Sequence, residues 1–181
     1  MVVMDSTFVG IMLHPKAKIP DDPATQKPVS RVPDRIQKLL QDLTTEQERI
    51  VIPTPALTEF LVLAGKDANQ YLSEIHSMRS IWVRPFDEMA AVELAAIECL
   101  ARETGNKRHP VGGDRPWQKV KVDRQIVAIA KGIGAKRIYS DDPDIKKFAE
   151  KEGIKVIACW ELTLPPSNTP LLDDLEDESP E

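Results

Sequence analysis

Short apolar runs alternate with stretches of helical periodicity through the first 160 residues, and this alternation restricts the fold more than any other feature. The apolar runs are Val2 to Met4, Arg49 to Pro53, Ser80 to Val83, Ala135 to Ser140 and Lys155 to Cys159. Between them lie segments that read as helices. From Asp34 to Leu43, the residues Ile36, Leu39, Leu40 and Leu43 fall at helical spacing. Thr54-Pro55 predicts a helix start, with threonine as cap and proline at the first helical position, and Gly65 ends that helix. Further helices are expected over about 67–78, over 85–102 with Gly105 as its stop, over 123–132, and over 143–150. Strands that alternate with helices predict an α/β fold in three layers, a central mostly parallel sheet with helices on both faces. In such a sheet ligands bind outside the carboxyl ends of the strands. Polar residues that directly follow an apolar strand are therefore the first candidates for a site.

The chain has 181 residues, enough for one domain with a substantial core. Its net charge of −5 argues against a polyanion partner only until the charges are located. Glu161 to Glu181 hold seven acidic residues and no basic one, so residues 1–160 carry 24 basic against 22 acidic groups. The expected division is a folded domain over 1–160 and an acidic, proline-containing, disordered tail over 161–181. Cys99 and Cys159 form no CxxC pair, and the histidines His14, His76 and His109 are scattered. No zinc site, disulfide framework or Ser-His-Asp order is visible, and two free thiols fit a reducing, cytoplasmic setting. Met1 to Leu13 contains Asp5 and lacks a basic start, so it does not read as a signal peptide. No run approaches the ~18 apolar residues of a membrane span.

Four acids stand where strands give way to helices. Asp5 follows the first apolar run, Glu59 lies in the helix after the second, Asp123 opens a helix with Ile126, Ile129 and Ala130 on one side, and Asp142 follows the strand ending at Ser140. Asp141 and Asp144 are supplementary acids. Each residue alone has an ordinary reading: a turn residue for Asp5, a solvated helix face for Glu59, a helix cap for Asp123 and Asp142. Taken together they fall along the edge where a parallel sheet opens. Carboxylates crowded there repel one another, and a divalent cation removes that penalty. Oxygen donors alone suit Mg²⁺ or Mn²⁺, and such ions activate water for attack on a phosphodiester.

Val2-Val3-Met4-Asp5-Ser6-Thr7, Ile50-Val51-Ile52-Pro53-Thr54-Pro55-Ala56-Leu57-Thr58-Glu59-Phe60, Val122-Asp123-Arg124-Gln125-Ile126-Val127-Ala128-Ile129-Ala130 and Ile138-Tyr139-Ser140-Asp141-Asp142 together resemble a PIN domain, closest to the VapC-type toxins of toxin–antitoxin pairs. The resemblance covers about residues 1–160. It implies a PIN-like fold and a metal-dependent endoribonuclease that leaves 5′-phosphate and 3′-hydroxyl ends. It implies Asp5, Glu59, Asp123 and Asp142 as catalytic metal ligands, with Thr7 (or Ser6) and Ser140 as supporting polar residues. It also implies a homodimer and an antitoxin partner. The chain departs from the minimal pattern in its Pro-rich loop at 14–33, its loop at 104–119, its acidic tail and Ile145 after Asp144.

Arg102 to Arg124 is the most basic stretch, with seven basic residues against three acidic, and it also holds His109 and Trp117. Lys119, Lys121, Arg124 and Arg115 are therefore the candidates for RNA contact, by phosphate pairing and stacking. Two rival readings stand beside this one. A phosphoryl-transfer domain with an aspartate nucleophile would need a lysine at a later strand end, and neither Ser140 nor Cys159 provides one. A non-catalytic PIN-like module that binds RNA or protein would need no catalytic acids, and all four are present.

Overall fold

The computed structural model describes residues 1–14, 16–112 and 114–165; the expected tail falls mostly on 166–181, outside the described residues. In chain order the elements are β1 (Val2–Met4), α1 (Ser6–Leu13), β2 (Asp21–Asp22), β3 (Lys27–Pro28), α2 (Val32–Thr45), β4 (Ile50–Pro53), α3 (Thr54–Ala64), a 3-10 turn (Gly65–Asp67), α4 (Ala68–Ser77), β5 (Ile81–Arg84), α5 (Glu88–Glu103), α6 (Trp117–Gly132), β6 (Arg137–Tyr139), α7 (Pro143–Lys151) and β7 (Lys155–Ile157). A short antiparallel pair, β2 with β3, interrupts the Pro-rich loop.

The central sheet has the order β5-β4-β1-β6-β7, and every pairing in it is parallel. The chain leaves β1 toward β4 and leaves β6 toward β7, so the connections diverge on either side of the β1–β6 pair. That divergence opens a crevice at the carboxyl ends of β1 and β6.

The side-chain alternation of a strand divides the core in two. Val2 and Met4 pack with Ile50, Ile52, Phe8, Leu39 and Phe60 on one face. Val3, Val51, Ile138 and Val156 meet Ile126, Val127, Ile145 and Phe148 on the other. Burial on both faces explains why these strands read as unbroken apolar runs rather than alternating ones.

Helix α1 was not expected from the sequence, and several boundaries shift; two of the differences bear on the site or its setting and have physical reasons. Helix α6 starts at Trp117, six residues before Asp123. Val120, Asp123, Arg124 and Val127 follow the spacing of a core-facing stripe, and all four are buried; two charged residues inside that stripe hide it from a hydrophobicity reading. Asp123 is thus an interior residue of its helix, not its first. Thr54 is likewise the first helical residue and not a side-chain cap; its hydroxyl accepts instead from the Phe86 backbone N–H at 3.3 Å. No helix among the described residues is long and apolar enough to cross a membrane.

Candidate metal centre

Asp5 is placed by the sheet. Its backbone N–H donates to the Tyr139 carbonyl at 3.1 Å, extending the β1–β6 ladder by one step. Its carboxylate caps α1 by accepting from the Phe8 N–H at 2.9 Å. The other carboxylate oxygen accepts from the Ser140 hydroxyl. Ser140 Oγ in turn accepts from the Asp142 N–H at 3.0 Å, so one hydroxyl ties the ends of β1 and β6 together.

Asp142 caps α7, accepting from the Asp144 N–H at 2.7 Å. This cap turns Asp144 inward, where it is 1% exposed. Asp123 approaches from α6. Asp123, Asp142 and Asp144 each offer an oxygen within 4.8 Å of the others. Two cations face this triad. Lys119 Nζ lies 2.8 Å from Asp123, 2.5 Å from Asp142 and 3.9 Å from Asp144, and Arg115 Nε lies 2.9 Å from Asp144.

Burial governs the electrostatics. It pushes the Asp5 carboxyl up to about 7, against the pull of the Phe8 and Ser140 hydrogen bonds and with the help of Asp141 and Asp142. Burial likewise raises Asp123 to about 6, although Lys119 opposes the shift. Both acids resist ionising unless positive charge is brought close. Asp144 Oδ1 is buried without a hydrogen-bond partner among the described residues, a costly state for a carboxylate oxygen unless it binds something. Three carboxylates of all-oxygen chemistry, one holding an unpartnered buried atom, fit a hard divalent cation of the Mg²⁺ or Mn²⁺ kind.

Of the four expected ligands, the structure brings Asp123 and Asp142 together, with Asp144 as the third member of the triad; Asp5 lies outside the triad and is tied to it through Ser140. The sequence offered Asp144 as a supplementary acid, and the Asp-Pro-Asp spacing, a cap followed by a first-turn acid, is the signal that could have promoted it. Glu59 is exposed on α3 and outside the triad; it accepts from the Ser6 hydroxyl at 2.8 Å. Of the two polar residues after Asp5, Ser6 makes this contact, and Thr7 is exposed. Asp141 turns toward the start of the loop after β7, accepting from the Cys159 N–H at 2.6 Å, and burial raises it to about 6. Cys99 and Cys159 are both free, and burial pushes the Cys159 thiol up to about 12.

The basic residues divide. Lys121 is exposed, as a phosphate contact requires. Lys119 and Arg115 are paired to the triad. Arg124 corrects the expectation of RNA contact. It is 0% exposed, donates to Glu98 at 2.6 Å and to the His109 carbonyl at 2.8 Å, and stacks near Trp117 and Phe148. A fully buried side chain has no surface to offer a phosphate.

No family model and no curated protein matches this chain. Solved structures do. A chain of VapBC2 from Rickettsia felis, bound to a DNA fragment from their promoter, superposes with a TM-score of 0.53 at 16% identity, covering 87% of this chain and 98% of that one. A chain of DNA-bound VapBC from Salmonella typhimurium gives a TM-score of 0.53 at 15% identity, covering 87% and 97%. At such identities the likeness is one of architecture, and with the parallel sheet order and the helices on both faces it establishes that this chain has a PIN-like fold.

Proposed function

We propose that this protein is a metal-dependent endoribonuclease and the toxin of a toxin–antitoxin pair. The observation that carries the reading is the carboxylate triad at the topological switch point, with a buried Asp144 oxygen lacking a partner. Asp123, Asp142 and Asp144 would hold Mg²⁺ or Mn²⁺, with Asp5 beside them and Glu59 at the outer edge. The ion would supply a Lewis acid that lowers the pKa of water and stabilises the leaving oxygen of a phosphodiester. Ser140 holds Asp5 and the Asp142 backbone in register. The Ser6 hydroxyl, next to Asp5 in the chain, donates to Glu59 at 2.8 Å. Lys121, exposed on α6 two residues before Asp123, is the basic side chain placed to meet a phosphate backbone. The likeness to chains of VapBC complexes supports an antitoxin partner; its seat over this edge and a homodimer are part of the same proposal.

The test is cleavage of a mixed RNA pool by wild type and Asp5→Asn, each with Mn²⁺, Mg²⁺ or EDTA. Asparagine keeps the α1 cap, so the variant isolates the charge. Cleavage that needs metal and disappears in the variant is the expected result. Absence of cleavage by folded, metal-loaded wild type would replace this reading with a non-catalytic module that binds RNA or protein.

A further inference from the structure

Lys119 stands where the triad would receive a cation. It projects from α6 one turn before Asp123, so its ammonium and the Asp123 carboxylate share a helix face at i,i+4 spacing. The capped turn at Asp142 brings two more carboxylates to the same point. The ammonium therefore contacts Asp123 and Asp142 at ion-pair distance, with Asp144 at 3.9 Å. The side chain is 38% exposed, so solvent lies beside it and the flexible stem can carry the charge out without disturbing the core.

We propose, resting on the metal reading of this site, that Lys119 is a tethered competitor of the divalent ion and sets how tightly the protein holds it. The ammonium holds the carboxylates of Asp123 and Asp142, two of the three residues that would also hold a divalent ion. The two occupy the triad alternately. A site that is open to metal for only a fraction of the time binds with an affinity reduced by that fraction. A lysine docked about nine-tenths of the time weakens apparent binding about tenfold. Arg115 contacts Asp144 alone of the triad, at 2.9 Å, and leaves Asp123 and Asp142 to Lys119.

Mn²⁺ binding, followed by the EPR signal of free Mn²⁺, tests this on wild type, Lys119→Met and Lys121→Met. Methionine keeps the apolar stem and removes the charge. Affinity about tenfold tighter in Lys119→Met, and near wild type in Lys121→Met, is the expected pattern. Equal affinity in wild type and Lys119→Met overturns the proposal and leaves the metal site standing. An equal gain in both variants overturns it too, since a general charge effect would then suffice. No Mn²⁺ binding by either wild type or Lys119→Met overturns the metal reading itself. A second measurement needs no variant: acylation of lysines in the wild-type protein, mapped by mass spectrometry. Mn²⁺ should raise labelling of Lys119 severalfold and leave Lys121 unchanged; unchanged labelling of Lys119 at saturating Mn²⁺ sinks the idea.

Discussion

Asp123 and Arg124 are neighbours in sequence, both buried, and both unreadable as core from composition. Their surroundings separate them. Asp123 faces other carboxylates and a lysine, whereas Arg124 is matched by Glu98, a backbone carbonyl and two aromatic rings. Removing one partner of a buried ion pair leaves the other charge stranded, at a cost of about 3–5 kcal/mol. Glu98 is partly exposed, so the lower end applies. Arg124→Ala is expected to lose about 3 kcal/mol in urea unfolding, while Lys121→Ala, on the exposed side of the same helix, stays within about 0.5 kcal/mol. Near-equal losses would return Arg124 to the surface. Sequence could not distinguish the two basic residues, because burial of a charge depends on partners 15 and 26 positions away.

At the scale of the element, α7 shows one residue serving two ends. Asp142 is its cap and a member of the triad. The two roles need different properties: a cap needs an acceptor oxygen, and a metal ligand needs charge. Asp142→Asn keeps the acceptor, so stability should remain near wild type while Mn²⁺ binding and RNA cleavage fall at least tenfold. Asp142→Ala loses both, and thermal or urea unfolding should register about 1 kcal/mol of added instability. If both variants keep cleavage, Asp142 is a cap alone. This element was legible in advance, since Asp-Pro at a helix start is a local signal. Helix α6 was legible only from Asp123 onward, because its first turns carry a core stripe interrupted by charge.

For the whole molecule, the buried acids couple folding to protons. Asp5 and Asp123 are raised to about 7 and about 6 from ordinary values near 4. The folded state therefore binds protons more tightly than the unfolded chain. These groups contribute stability fully below pH ~4, and it fades as pH rises through their folded values. Metal-free protein should accordingly lose thermal stability between about pH 4 and 7. Mn²⁺ reverses the trend, because ligand that binds only the folded state stabilises it by about 2.7 kcal/mol at a hundredfold excess over Kd. The rise in Tm with Mn²⁺ should be larger at pH 7.5 than at pH 5, and EDTA should abolish it. A metal effect independent of pH would place the ion away from these carboxylates.

The sequence by itself determined the layered parallel architecture, since fully buried strands and capped helices announce themselves through local pattern. It also placed Asp5 and Asp142 at strand ends, where backbone geometry alone fixes a side chain. Only the tertiary structure decided that β1 and β6 are neighbours, and hence that Ser140 joins Asp5 to Asp142. It decided that Asp144 turns inward, that Arg124 is sealed and that Lys119 reaches the triad. Each of these depends on which distant segment supplies the partner, and side-chain charge is neutralised through space rather than along the chain.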